Sequence, residues 1–558
     1  MADLLQPQNK PGKYSVFVHP NLDMNQEFFD YVIVGAGSSG CVLANRLSED
    51  GKNSVALIEA GPPDRSPWIH LPIGYAKTMW DPKVNWKFQT EPDPGMKNRQ
   101  IYWPRGKTLG GSSSINGLIF IRGQKQDYDH WRDLGNPGWG WDDVLPYFKK
   151  AEGNDRLGEP LHSMTGPLKA SSIKKKHPLV EAFIGSANAL GVPTTEDFNN
   201  LEQEGVGYYQ LTTHKGFRCS TAVAYLRPAK RRPNLSILTN THACKVIFDG
   251  KKAIGVEVIQ NNVRKIIRAN KEVILSAGAI LSPQLLQLSG IGPAKLLEEF
   301  HIPVIKDLPG VGENLQDHLQ FRLIYELNEP ISTNDQLSSW FGQLKMGLDW
   351  LFFRGGPLSI GINQGGLFTR VMEESKSPDI QFHMATLSAE MAGGKVHPFS
   401  GFTMSACQLR PESRGHIRIQ SIDPLVPPKM FANYLATPGD RATSIAAVKF
   451  ARKLARTQPL QSLITLEVKP NNPQSDEDIL DFCRENGATI FHPTGTCQMG
   501  PDTNPLAVLD AELKVKGIDR LRVVDCSAMP TLPSGNTNWP AVMLAERAAD
   551  LILGKVKR

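Results

Sequence analysis

Long apolar runs are missing from this sequence. No uninterrupted stretch reaches the roughly 18 apolar residues that a membrane-spanning helix needs, and the first 27 residues hold no apolar core of signal-peptide length. The seven cysteines (41, 219, 244, 407, 483, 497 and 526) are odd in number, scattered, and form no C-x-x-C pair. That pattern argues against a disulfide framework or a zinc cluster and suits a reducing compartment. Excess charge of one sign is small: a net +6 over 558 residues neither calls for nucleic acid nor excludes loose attraction to an anionic membrane. Repeats and low-complexity tracts are absent. The expectation is a cytoplasmic globular protein without a nucleic-acid partner or a metal, with peripheral membrane contact left open.

What is present is chain enough for a large core, roughly three to four units of ordinary size or two interwoven ones. "DYVIV" (30–34) reads as a buried strand, "GAGSSG" as a glycine turn, "CVLANRLSED" as an amphipathic helix and "SVALIEA" as a second strand, a βαβ beginning. Further strands are predicted at 234–240, 243–250, 255–260, 271–278 and 521–527, and a helix follows at "PAVMLAERAADLILG". Nucleotide-binding signals thus sit at the beginning, middle and end of the chain. The stretches between are richer in proline and aromatics. An α/β protein is expected, with a Rossmann-like domain assembled from 28–120, 216–324 and 481–558. A second domain from 121–215 and 325–480 is inserted into it, and a polar extension occupies 1–27.

Gly35, Gly37 and Gly40 form G-x-G-x-x-G between strand and helix. Gly35 permits the tight turn, Gly37 leaves room for backbone to approach a pyrophosphate, and Gly40 lets helix pack on strand. Glu59 closes the second strand 19 residues after Gly40, where a carboxylate can hold a ribose 2′-hydroxyl. An acidic residue there disfavours a 2′-phosphate but does not separate NAD from FAD. Two further motifs bear on that choice: "WPRGKTLGGSSSINGLIF" (103–120), a loop able to wrap a flat ring with backbone N–H groups, and "GAILSPQLLQLSGIG" (278–292), a helix closed by a glycine turn.

Together with "PGVGENLQDH" (309–318), "LRPESRG" (409–415), "HPTGTCQMG" (492–500) and "GNTNWPAVMLAE" (535–546), these motifs resemble those of the glucose–methanol–choline oxidoreductases, FAD flavoproteins that oxidise alcohols. The resemblance runs from about residue 28 to the end. It implies an inserted substrate-binding domain on a mostly antiparallel sheet with helices. It implies that Glu59 and Ala60 meet the adenosine ribose, that Gly110, Asn116, Gly117 and Ile119 line the isoalloxazine side, that Val246 offers backbone to adenine, and that Asp525 lies near the ribityl–pyrophosphate chain. Ile115 stands where some relatives attach FAD through a histidine, so the FAD is expected to be non-covalent.

His492, read from its own stretch "NGATIFHPTGTCQMG", is open to three roles: packing, zinc ligation or base catalysis. Zinc is disfavoured because Cys497 and His492 have no second pair at ligand spacing. The resemblance implies the base, with Asn538 opposite it across the substrate: imidazole takes the hydroxyl proton, amide holds the oxygen, and hydride goes to flavin N5. The expected activity is oxidation of a primary alcohol to the aldehyde, with electrons leaving to a quinone, a carrier or O₂. Choline dehydrogenase is the alternative, and a non-redox hydroxynitrile lyase a lesser one. Gln364, in "NQGGLF", stands where relatives carry a carboxylate that can face a quaternary ammonium, which makes choline less attractive. Trp340, Phe368 and Phe382 are expected around an apolar pocket. "WFGQLKMGLDWLFFRGG" (340–356) reads as a helix with Trp340, Leu344, Leu348, Leu351 and Phe352 on one face, either packed on the substrate domain or docked on a membrane.

Overall fold

Val32, Ile33 and Val34 are β-branched and have no room outside the core, and the strand Glu27–Val34 that carries them is the centre of the first sheet. The computed structural model describes residues 27–391 and 393–556, so the expected polar extension lies outside the described residues except for Glu27. The glycine turn follows the strand. Gly35 has φ +100°, and a side chain there would put Cβ 2.5 Å from the carbonyl oxygen of Ser276. Gly40 packs so tightly that a Cβ would lie 1.9 Å from the Gly35 carbonyl oxygen. Helix Ser38–Leu47 begins directly over this turn.

The first sheet runs Leu235–Leu238, Val55–Ile58, Glu27–Val34, Val263–Leu275, Lys252–Gln260, Thr241–Asp249, with Leu521–Val523 also beside Val263–Leu275. Pairings at the Glu27–Val34 end and with Leu521–Val523 are parallel, and the Thr241–Leu275 meander is antiparallel. Strands from residues 27–58, 235–275 and 521–523 thus share one sheet. Helix Asn538–Ile552 closes it: buried Glu546 accepts two hydrogen bonds from Arg46, both 2.8 Å, and one from the Tyr225 hydroxyl. Trp539, wholly buried, packs with its ring centre 4.2 Å from that of Phe120, the rings tilted at 44°, and so fixes the N-terminal end of that helix.

A second sheet, antiparallel throughout, runs Ile464–Lys469, Leu319–Leu327, Gly401–Gln408, Ile380–Ala385, Asn363–Thr369, Gly205–Tyr208. Its outer face packs on helices Pro178–Ala189 and Pro438–Ala455 through Phe321, Leu323, Phe382 and Val448. Its inner face covers the first domain. The boundary expected at 324 falls inside strand Leu319–Leu327, which pairs in this sheet along its whole length, and Ala488–Thr489 joins it too. Sequence periodicity could not reveal that border, because the strand has the same alternation on either side of it.

Candidate active site

A cavity of about 720 Å³ lies between the two sheets. Its floor is the glycine turn, with Gly35, Gly37 and Ser38. Glu59 and Ala60 line it at one end, and Ile115, Asn116, Gly117, Ile119 and Asp525 line it further along. The Glu59 carboxylate accepts from the Ala36 N–H (3.0 Å) and the Gly61 N–H (2.8 Å), and burial pushes its pKa up to about 7. Asp525 accepts from the Gly278 N–H (2.8 Å), the Ser282 hydroxyl (2.6 Å) and both donors of Ser527. These two carboxylates are the only ones lining the cavity among the described residues.

Three expected cofactor positions do not line it. Gly40 lies beneath the turn. Gly110 spends its N–H on the Ala36 carbonyl and its carbonyl on Ser113, and neighbouring Gly111 lines the cavity instead, so close that a Cβ would meet Gly37 Cα at 2.7 Å. Val246 is in the core, with its N–H given to the Ser289 hydroxyl at 2.8 Å. The strand meets the cavity three to five residues earlier, through Thr241, His242 and Ala243. Gln364 is likewise turned away, its amide donating to Thr386, and Asn363 faces the cavity. Phe368 and Phe382 belong to the packed core, and Trp340 is 76% exposed, so none of the three lines an apolar pocket.

The residues present suit FAD. At Gly37 a Cβ would have no neighbour closer than 3.9 Å, so that space is left by the protein rather than filled by packing. It lies at the first turn of helix Ser38–Leu47, which has no side-chain cap to occupy its N–H groups. Gly117 is similarly open, with nothing within 4 Å of a built Cβ. Glu59 lines the cavity beside the turn, and the cavity continues from there to the second sheet.

At that far side stands His492. Ala488–Thr489 pairs with Leu319–Gln320, the Ile490 N–H donates to the His318 carbonyl, and Thr494 bridges to Gln316. The loop therefore runs as an extra strand along 316–320, with Pro493 holding His492 extended. The His492 N–H is fixed by Asp317 (2.7 Å). Its ring has two contacts: Nδ1 lies 2.9 Å from His318 Nδ1, and Nε2 lies 3.2 Å from the Asn536 amide nitrogen. His318 Nε2 is 3.1 Å from the Leu409 carbonyl oxygen.

These contacts settle the tautomers. A carbonyl only accepts, so His318 carries its proton on Nε2 and presents a lone pair at Nδ1. His492 must then donate from Nδ1, which leaves Nε2 as an acceptor at the cavity, where it takes the Asn536 amide N–H. Burial, His318, Arg105 and His383 all push the His492 pKa well below the ordinary histidine value, and burial lowers His318 to about 4, so both rings are neutral near pH 7.

The amide opposite His492 is Asn536, not Asn538. Asn538 is the first residue of the helix, and its Oδ1 accepts from the Ser38 hydroxyl at 2.8 Å, although it too borders the cavity. His318, Asn536, Arg322 and His383 were missed from the sequence. His318 ends the motif "PGVGENLQDH", which marked it as part of the fold's pattern but not as a partner of the loop 174 residues away.

Among the described residues no group of side chains suits a metal ion, and no helix is long and apolar enough to cross a membrane. All seven cysteines are unpaired.

Comparison with known proteins identifies the family. The N- and C-terminal profiles of the GMC oxidoreductases match residues 29–320 and 411–545. The chain is 42% identical over 536 residues to an alcohol dehydrogenase [acceptor] of Pseudomonas putida, covering 95% of this chain and 96% of that one. It is 40% identical over 527 residues to an oxygen-dependent choline dehydrogenase of Brucella anthropi, covering 94% and 96%. The crystal structure of pyridoxine 4-oxidase from Mesorbium loti superposes with a TM-score of 0.84 at 31% identity, covering 93% of this chain and 98% of that one. The chain belongs to the GMC oxidoreductase family, FAD-dependent enzymes that act on CH–OH donors.

Proposed function

We propose that the protein oxidises a primary alcohol to its aldehyde, with His492 as proton acceptor and Asn536 holding the alcohol oxygen. The observation that carries this reading is the hydrogen-bond chain from the Leu409 carbonyl through His318 to His492, which leaves a neutral Nε2 lone pair at the cavity surface. A hydroxyl that displaces the 3.2 Å contact between Nε2 and the Asn536 amide donates its proton to the first and accepts from the second. As the proton leaves, the amide steadies the growing charge on oxygen without titrating. FAD, when bound, supplies the hydride acceptor. Glu59, Ala60 and the Gly35–Gly37 turn hold the adenosine and pyrophosphate end, Asn116, Gly117 and Ile119 border the ring, and Ala243 takes the adenine contact expected of Val246. Ile115 offers no nucleophile, so the cofactor is held non-covalently, and acid precipitation should release it into the supernatant.

The relatives divide between an acceptor-linked alcohol dehydrogenase and choline dehydrogenases. Choline is disfavoured by the cavity: among the described residues no carboxylate lines its substrate end, where a quaternary ammonium would need one. Electrons are proposed to pass to a quinone or carrier rather than O₂. The test is anaerobic mixing of FAD-loaded protein with aliphatic and aromatic primary alcohols and with choline, followed by dye reduction and peroxide release in air. Bleaching by primary alcohols with dye reduction exceeding peroxide is expected. A spectrum that no alcohol alters would end the reading.

Helix Trp340–Phe353 supports membrane contact as part of the same function. Only Met346 is buried, while Trp340, Phe341, Leu344, Leu348, Leu351 and Phe352 form one outward arc, with Phe352 70% exposed. The apolar face therefore points away from the protein, the reverse of an ordinary amphipathic helix. Lys345 lies beside this arc, and Gln343 and Met346 line the cavity, so an anionic lipid surface covering the arc would sit at the cavity mouth. Sedimentation with anionic vesicles, lost on Leu348→Asp/Phe352→Asp, is expected; equal sedimentation of the variant rejects the contact.

A further inference from the structure

Arg322 lies in strand Leu319–Leu327, where Phe321, Leu323 and Tyr325 enter the core while Gln320 and Arg322 face the cavity. Ser405 is its cross-strand neighbour and His383 is the neighbour of Ser405, so Arg322, Ser405 and His383 form one row over three strands, all lining the cavity. Gln320 marks the side of the row nearer the catalytic loop, since its amide donates to the Thr489 carbonyl at 3.2 Å. Arg322 is one pleat repeat further away, about 7 Å along the strand.

Its guanidinium makes no hydrogen bond or ion pair with any described residue, and the side chain is half-buried and opens on the cavity. The groups that face it electrically are the Tyr75 phenol and the His383 imidazole, neither of them an anion. Arg218, wholly inside the protein and also within electrostatic reach of Tyr75, has one guanidinium nitrogen without a partner and adds to the positive potential. Lys77 and Arg105 line the same cavity. Glu59 and Asp525 cannot compensate, because both are held by donors of the first domain. The cofactor's phosphates are accounted for at the turn before helix Ser38–Leu47, on the opposite sheet. An unpaired arginine in a substrate cavity is the geometry that a carboxylate completes, through two parallel charge-assisted hydrogen bonds.

We propose that the alcohol oxidised here is a hydroxy-carboxylate, its carboxylate bound by Arg322 while its hydroxyl lies at His492. This rests on the alcohol-oxidation reading for the hydroxyl end, whereas the anion site stands on Arg322 alone.

The test uses FAD-loaded protein with a series of ω-hydroxycarboxylates and the n-alkanols of matching length. In the wild type the hydroxy-carboxylates should have the higher kcat/KM, with the advantage residing in KM. In Arg322→Met the ratio of hydroxy-carboxylate to alkanol kcat/KM should fall roughly 10- to 100-fold, and Arg322→Lys should restore part of it. A wild type that prefers the alkanols, or a ratio unchanged in Arg322→Met, overturns the proposal. A second arm titrates hexanoate against the flavin absorbance, with saturable binding expected in the wild type and none in Arg322→Met. If hexanoate binds in this Arg322-dependent way while no alcohol of either series reduces the flavin, alcohol oxidation falls and the anion site stands. If alcohols reduce the flavin but hexanoate binding ignores Arg322, the anion site falls and alcohol oxidation stands.

Discussion

Replacing His318 should slow catalysis although it has no contact with the cavity. Its Nδ1 is the acceptor that holds the His492 proton on Nδ1. His318→Phe keeps a ring of similar bulk and removes that acceptor. The productive tautomer of His492 then carries a buried, unpaired N–H, which costs about 1–3 kcal/mol. The other tautomer avoids this cost by moving the proton to Nε2, where it blocks the lone pair that must take the substrate's proton. At a factor of ten per 1.4 kcal/mol, the reactive fraction falls roughly 5- to 150-fold. His318→Gln is the matching control, since its amide oxygen can accept from His492 while its N–H reaches the Leu409 carbonyl. Limiting rates of anaerobic flavin reduction in a stopped-flow instrument should drop by that factor in the Phe variant, stay within several-fold of wild type in the Gln variant, and leave KM nearly unchanged in both. Flavin content and thermal unfolding, recorded alongside, separate this effect from loss of structure. A Phe variant as fast as wild type would refute the tautomer argument.

Other outcomes follow from the same geometry. Asn536→Ala should lower the flavin-reduction rate by roughly 10²–10³, the usual cost of one lost donor to a developing oxyanion, whereas Asn538→Ala should mainly lower stability by about 0.5–1.5 kcal/mol through its bond to Ser38; reversed rate effects would return the role to Asn538. Gly37→Ala should fold normally yet bind FAD poorly, because its methyl enters open space, while Gly40→Ala should fail to fold, because its methyl would lie 1.9 Å from the Gly35 carbonyl oxygen; thermal melts with FAD titration distinguish the two. The His492 pKa is depressed by burial, so the base is already neutral at its ordinary value of 6.5 and is lost only as pH falls through the lower one. The pH profile of flavin reduction should therefore be level through 6.5 with its acid limb below; a midpoint at or above 6.5 contradicts the environment described for the ring.

The nucleotide-binding half was legible because its signals are local. Gly35, Gly37, Gly40 and Glu59 are fixed by the turn and strand that contain them, and strand, turn and helix follow one another within 32 residues. Errors arose where a side chain's direction depends on one or two residues of register. Asn536 and Asn538 straddle the start of a helix. The first still lies in the loop and turns to His492, while the second has entered the helix and turns to Ser38. Val246 and Ala243 differ in the same way along one strand, which carries a bulge between Ala243 and Lys245. The inner face of the second sheet was not legible at all. Arg322, Ser405 and His383 come together only through pairing of strands far apart in the chain, and alternation within each strand cannot say which strands are neighbours. The segment 340–356 is legible as a helix, which covers Trp340–Phe353, but its apolar arc faces outward.

The claim on which the catalytic account depends is that His492 Nε2 receives the substrate's hydroxyl proton. Single-turnover anaerobic reduction of the His492→Ala protein by its best alcohol tests it most directly. Bound yellow flavin with a reduction rate lower by about 10²–10⁴ is the predicted result; a rate equal to that of the wild type, with flavin equally bound, would contradict it.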